Sequence, residues 1–173
     1  MHVDEMENYL KQLNEKLRMH EEDGELYIYG GAVICLCFNG RQMTDDIDGI
    51  FAPKHSIYQY IKEISVENEL PPDWLNDSVK GFVSSNNEME VYLRFSNLTV
   101  LSATPRYCLA MKILSARNDV NEHDREDIKF LINYIGINSV EEAESIALNY
   151  YPKSMFKPMS HYMLVSVFEE ISS

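Results

Sequence analysis

Cysteine is scarce in this chain, with only Cys35, Cys37 and Cys108. An odd count without paired metal-ligand spacing excludes a disulfide framework and a paired-cysteine metal site, and it predicts reduced thiols. Basic residues are also few, 15 against 28 acidic ones, for a formal net charge of −13. That deficit excludes broad contact with nucleic-acid phosphates, which needs a basic surface and here would be confined to a local patch. Divalent cations and basic protein partners suit such a charge better. Long apolar runs are missing too. The longest, Ala32 to Phe38, falls far short of the roughly 20 residues a membrane helix needs. No internal repeat or low-complexity tract is present.

What is present is an ordinary globular composition, 45% hydrophobic and 25% charged. Its 173 residues predict one domain with a small helical extension, long enough to bury a real core. The opening residues, MHVDEMENYL, are acidic and unlike a secretory signal. With the reduced thiols, this predicts a cytoplasmic protein with no membrane association.

Apolar spacing marks the elements. Met6, Tyr9, Leu10, Leu13 and Leu17 recur at helical spacing, and Gly24 ends the pattern. ELYIY, residues 25 to 29, reads as a short buried strand closing at Gly30-Gly31. AVICLCF fits two states: its β-branched content favours a strand, and its place after two glycines allows a helix. DIDGIF alternates like a strand, residues 54 to 68 carry a helical apolar face, and PPDWLND reads as a loop. MEVYLRF alternates, with Met89, Val91, Leu93 and Phe95 on one face, and NLTVLSA follows as another strand. Thr104-Pro105 is a helix start, and a further helix runs from about Asp124 to Tyr134. Ser139 and Glu142 form a capping-box pattern, and the tail from Ser160 is helical. The reading is an α+β or α/β core followed by a helical C-terminal part.

The chemistry-bearing stretch is GGAVICLCFNGRQMTDDIDGIF, residues 30 to 51. On a strand, Asp46 and Asp48 lie two apart and point the same way. Their oxygens can converge on one hard cation such as magnesium, which would offset their repulsion. A solvated acidic strand edge fits a bare Asp-x-Asp as well. A calcium loop does not fit: aligning Gly49 with that loop's glycine puts Thr44 and His55 where acids belong. Glycines at the end of a strand let backbone N–H groups approach a phosphate, although Gly-Gly is also simply a tight turn.

In order along the chain come Gly30, Gly31, Arg41, Thr44, Asp46 and Asp48, then PRYCLAMKILSAR with Lys112, then HDREDIKFLI with Asp124 and Asp127. This succession resembles the polymerase-β-type nucleotidyltransferase superfamily, specifically the toxin-like branch related to abortive-infection and toxin–antitoxin nucleotidyltransferases. The resemblance spans roughly residues 25 to 135, and several ordered motifs are more specific than any one. It implies an α+β minimal nucleotidyltransferase fold, a small mixed sheet flanked by helices, with a helical C-terminal part. Residues 1–103 would form the core with its N-terminal helix, and 104–173 a helical part packed on it as a single compact unit. It makes AVICLCF a helix.

The resemblance also assigns roles. Asp46 and Asp48 would hold Mg2+ or Mn2+; Gly30, Gly31, Arg41 and Thr44 would shape the nucleotide site; Lys112 would touch phosphate; Asp124 or Asp127 would complete the site. The implied activity is transfer of an NMP from an NTP to a tRNA-like RNA or a protein acceptor, with a basic antitoxin-like protein as partner. The residues themselves leave alternatives open. Lys112 could snorkel to solvent, Asp124 could cap its helix, Asp127 could pair with a nearby base, and Trp74 is either a core anchor or a base-stacking residue. The chain departs from the superfamily in lacking a third carboxylate within VYLRFSNLTV; Glu88 and Glu90 lie just before it. That departure supports a second reading, a catalytically silent partner-recognition module.

Overall fold

In a computed structural model, the structure describes residues 1–116 and 122–173. Arg117, which closes one of the quoted stretches, lies outside the described residues. The described chain is α+β, with a five-stranded mixed sheet and a helical C-terminal part. It divides into two units, residues 1–81 with 89–103, and residues 82–88 with 104–173.

The first unit begins with α1 (Val3–Met19), which turns Met6, Leu10, Leu13 and Leu17 inward, all fully buried. Next come β1 (Gly24–Tyr29), α2 (Gly30–Leu36), β2 (Ile47–Ala52), α3 (Lys54–Glu67), β3 (Leu75–Asn76), β4 (Met89–Arg94) and β5 (Leu98–Ala103). The sheet order is β3-β2-β1-β5-β4. Strand β1 is the middle one, antiparallel to β2 and parallel to β5. Helix α1 packs on α3 and β5, and α3 packs on β2. Leu26 and Ile28 of β1 are buried, as are Ile47 and Phe51 of β2. The period of two puts Asp48 and Ile50 on the other face, both half-buried. An acid can therefore stand beside large apolar residues because neighbours in a strand face opposite ways.

One open alternative is decided and two expectations change. AVICLCF is helical through Leu36 despite Val33 and Ile34, because Ala32 to Cys35 are all buried and tertiary burial overrides local propensity. The PPDWLND loop contains β3, which pairs Leu75 with Ile47 and Asn76 with Asp48. The alternation in MEVYLRF breaks at a bulge. Val91 pairs with Leu101 and Leu93 with Val100, so Tyr92 is the extra residue and Val91 is left exposed.

Trp74 is a core residue, 1% exposed, with its Nε1 donating to the Ile61 carbonyl at 3.0 Å. No disulfide joins the cysteines. Burial pushes the half-buried Cys37 thiol up to about 11.

The second unit is built around α4 (Pro105–Ser115), whose Tyr107 to Met111, Ile113 and Leu114 are buried. Burial on nearly every side marks a central helix. The others are α5 (Glu122–Ile135), α6 (Val140–Leu148) and α7 (Pro158–Ser172), and each packs on α4. Residues 82–88 are fastened to these helices. The Ser84 N–H donates to the Tyr107 hydroxyl at 2.8 Å, the Tyr151 hydroxyl to the Phe82 carbonyl, and the Tyr150 hydroxyl to the Glu88 carboxylate. Thr104 Oγ1 also donates to Glu88, at 2.7 Å. These donors hold the Glu88 carboxyl below its ordinary range, and burial with the Glu88 contact pushes Tyr150 up to about 12. Among the described residues no helix is long and apolar enough to cross a membrane.

Candidate functional site

The junction of β1 and α2 places two glycines against the side chains that follow α2. Gly30 has φ +64°, a left-handed conformation natural to glycine, and a Cβ there would lie 3.1 Å from Asp48 Oδ2. The register explains this closeness, since Tyr29 pairs directly with Asp48. A Cβ on Gly31 would lie 1.8 Å from Arg41 Nη2 and 2.9 Å from Thr44 Oγ1. Nothing larger than glycine fits under this guanidinium. Arg41 Nη2 donates to Thr44 Oγ1 at 2.9 Å, and Thr44 is buried. Gly31 therefore serves close side-chain packing, and its spacing to Arg41 and Thr44 has a steric cause.

Asp46 precedes β2 and Asp48 lies within it; both are half-buried, while Ile47 between them is fully buried. Each acid is oriented by a residue of the β3 segment. Asn76 Nδ2 donates to Asp46 Oδ2 at 3.0 Å, and Ser78 Oγ donates to Asp48 Oδ1 at 3.2 Å. Sequence reasoning missed both donors. The available signal was their own spacing, two polar residues two apart just after Trp74-Leu75, matching the spacing of the acids.

This donor set can be tested against the implied metal. Magnesium takes one or two carboxylates and completes its shell with water and phosphate oxygens. A half-buried pair such as Asp46 and Asp48 suits that open arrangement. Among the described residues, no group of three or more His, Cys, Asp and Glu is placed to hold a metal, so a closed protein cage is not built there. Glu90 sits on β4, separated from β2 by β1 and β5, and Glu88 is taken up by Thr104 and Tyr150. Within the first unit, Glu90 therefore supplies no third carboxylate to the pair.

Lys112, Asp124 and Asp127 form a second cluster, inside the second unit. Lys112 Nζ lies 2.5 Å from Asp124 Oδ1 and 2.9 Å from Asp127 Oδ2. The side chains of Lys112 and Asp127 are 14% and 4% exposed, so the lysine does not snorkel. Burial alone would lower the Lys112 pKa, but the charges of Asp127 and Asp124 outweigh it and raise it. Asp127 is thus an ion-pair partner. Asp124, in the first turn of α5, combines a favourable helix position with the same role.

The sequence-derived residues therefore gather into two sets: Gly30, Gly31, Arg41, Thr44, Asp46 and Asp48 in one unit, and Lys112, Asp124 and Asp127 in the other. Compared with protein-family models, curated proteins and solved structures, the chain matches none of them.

Proposed function

We propose that the chain is a nucleotidyltransferase of the polymerase-β type, on its toxin-like branch, which moves an NMP from an NTP to an RNA or protein acceptor. The observation that carries this reading is the packing of Asp48 against Gly30, with Arg41 and Thr44 closing over Gly31. An acidic strand edge gives no reason for two glycines to sit against an aspartate and an arginine.

In this reading Asp46 and Asp48 hold Mg2+ or Mn2+, and Asn76 and Ser78 keep the two carboxylates oriented. The cation, when bound, supplies charge neutralisation at the triphosphate and polarisation of the α-phosphoryl group. Arg41 keeps the turn in shape through Thr44. Lys112 is a positioning residue held by Asp124 and Asp127. The net charge of −13 tilts the acceptor towards protein over RNA, and suits a basic antitoxin-like partner.

A second reading, a silent nucleotide-binding or partner-recognition module, is favoured by Glu90 lying two strands away from β2 and by Glu88 being engaged by Thr104 and Tyr150. Incubation with each labelled NTP, magnesium and either total RNA or cell lysate separates the two. Transfer of label to a macromolecule by the wild type, lost in Asp48→Asn, supports the enzyme. Saturable NTP binding without transfer supports the module. Absence of both overturns the nucleotide assignment.

A further inference from the structure

The second unit contains a cavity of about 360 Å³ where α4, α6, the short 3₁₀ turn Lys153–Met155 and the start of α7 meet. Its floor is apolar and rigid. Ile113, Ala147 and Leu164 line it and are each at most 1% exposed. Buried Ser160 donates to the Ile113 carbonyl at 2.9 Å, tying α7 to α4 beneath it. Ala147 is small, and that leaves the space.

The rim has the opposite character. Lys153 and Lys157 line it, and neither forms an ion pair among the described residues. Both are exposed and four residues apart, one opening the turn that edges the cavity and the other just past it. The cavity's acid, Glu144, is engaged by His161 Nδ1 at 2.6 Å. Ligand cavities combine a mostly apolar lining with a few placed polar groups, and this volume lies in their usual range, from about 300 Å³ upwards.

We propose that this cavity binds a small amphipathic anion, its carboxylate or phosphate head between Lys153 and Lys157 and its hydrocarbon body on the Ile113–Ala147–Leu164 floor. None of the residues that line it is among those assigned to nucleotide, so it stands or falls independently of that assignment.

Calorimetric titration of the full chain tests it with four probes of equal tail length: nonanoate, octyl phosphate, octanol and octylammonium. Saturable one-to-one binding is expected for at least one anion, and comparing the two identifies the head group. Octanol should bind more weakly, and octylammonium not detectably. The double variant Lys153→Glu/Lys157→Glu should weaken anion binding at least about tenfold, since each exposed charge contributes a fraction of a kcal/mol and both are reversed. Leu148→Trp, at a half-exposed rim position, should block the entrance; both variants should melt like the wild type. Absence of saturable anion binding would overturn the proposal. So would equal affinity for octylammonium, or unchanged affinity in both well-folded variants.

Discussion

Two carboxylate clusters, one in each unit, make opposite use of the same side chain. Asp46 and Asp48 are half-buried and take hydrogen bonds from a neutral amide and a neutral hydroxyl. Asp124 and Asp127 close on a buried lysine. The second cluster closes on a buried cation, so its worth includes stability. In the first, the acids lie beside a turn built from glycine and stay half-exposed, so they are placed to meet a ligand. Deleting a member of each should therefore give different symptoms.

The largest effect is expected at the closed cluster. Lys112→Met takes the ammonium away from Asp127, which is 4% exposed. Breaking a buried pair on one side costs about 3–5 kcal/mol. Chemical denaturation should reveal this, and Lys112→Met/Asp127→Leu should recover much of it, because replacing both charges removes the uncompensated one. The pH dependence has a definite sign. The folded Lys112 pKa is raised above its ordinary value of 10.5, so its contribution is fully present below that pH and is lost as pH rises through the folded value. Wild-type melting temperature should fall in that alkaline range, and Lys112→Met should flatten part of the fall. A variant as stable as the wild type would mark Lys112 as a cation the fold does not use.

At the open cluster the next largest effect depends on ligand. Magnesium with NTP at about one hundred times Kd should stabilise the wild type by roughly 2.7 kcal/mol, since it binds the native state preferentially. Asp48→Asn should lose most of that gain while altering the ligand-free melt little. Equal ligand-induced shifts in both proteins would return Asp46 and Asp48 to an acidic strand edge and erase the contrast between the clusters.

Local periodicity made α1, α3, β1 and β5 legible, because each carries its burial pattern within its own residues. Strand β3 was not, since a two-residue strand exists only through its pairing with Ile47 and Asp48. The bulge at Tyr92 likewise depends on how β5 is matched. The site divides the same way. Gly30, Gly31, Arg41, Thr44, Asp46 and Asp48 lie in one stretch of chain and their spacing is visible. Asn76 and Ser78 each act on an acid 30 residues away, and their matching spacing gains meaning only once β3 is paired with β2. For Lys112 the residues were legible and the partnership was not, because a helical lysine between apolar neighbours fits solvent, phosphate or a carboxylate until α5 is placed beside it.

The turn itself can be broken sterically. Gly31→Ala puts a methyl group 1.8 Å from Arg41 Nη2 and 2.9 Å from Thr44 Oγ1. The guanidinium must leave, and the 2.9 Å Arg41–Thr44 bond goes with it. Arg41 Nη2 is the far end of a flexible side chain, so the displacement is cheap and the main loss is that hydrogen bond, about 1 kcal/mol. Thermal melting should place Gly31→Ala below the wild type, with the magnesium–NTP shift reduced because the loop carrying Asp46 is displaced. Gly81→Ala, where an added Cβ meets nothing within 4 Å, is the matched control. Equal stability of the two variants would mean that Arg41 does not hold the turn.

The smallest effect distinguishes orientation from binding. Ser78 Oγ donates to Asp48 Oδ1 at 3.2 Å from an exposed position. Ser78→Ala removes that donor, and water can replace it at the exposed Ser78 side of the half-buried carboxylate, so the ligand-free protein should lose no more than about 1 kcal/mol. The carboxylate remains in place to meet a cation, so most of the magnesium–NTP shift should survive. Its midpoint should move to higher ligand concentration, because Asp48 samples more rotamers before binding and a looser group is less preorganised. Asn76→Ala should act in the same way on Asp46, which accepts from Asn76 at 3.0 Å. Thermal-shift titrations of both variants beside Asp48→Asn measure the difference. If Ser78→Ala abolished the shift as completely as Asp48→Asn, the hydroxyl would itself be part of the ligand contact. The open cluster would then be a hydrogen-bonding surface, with no pair of carboxylates kept ready for a metal.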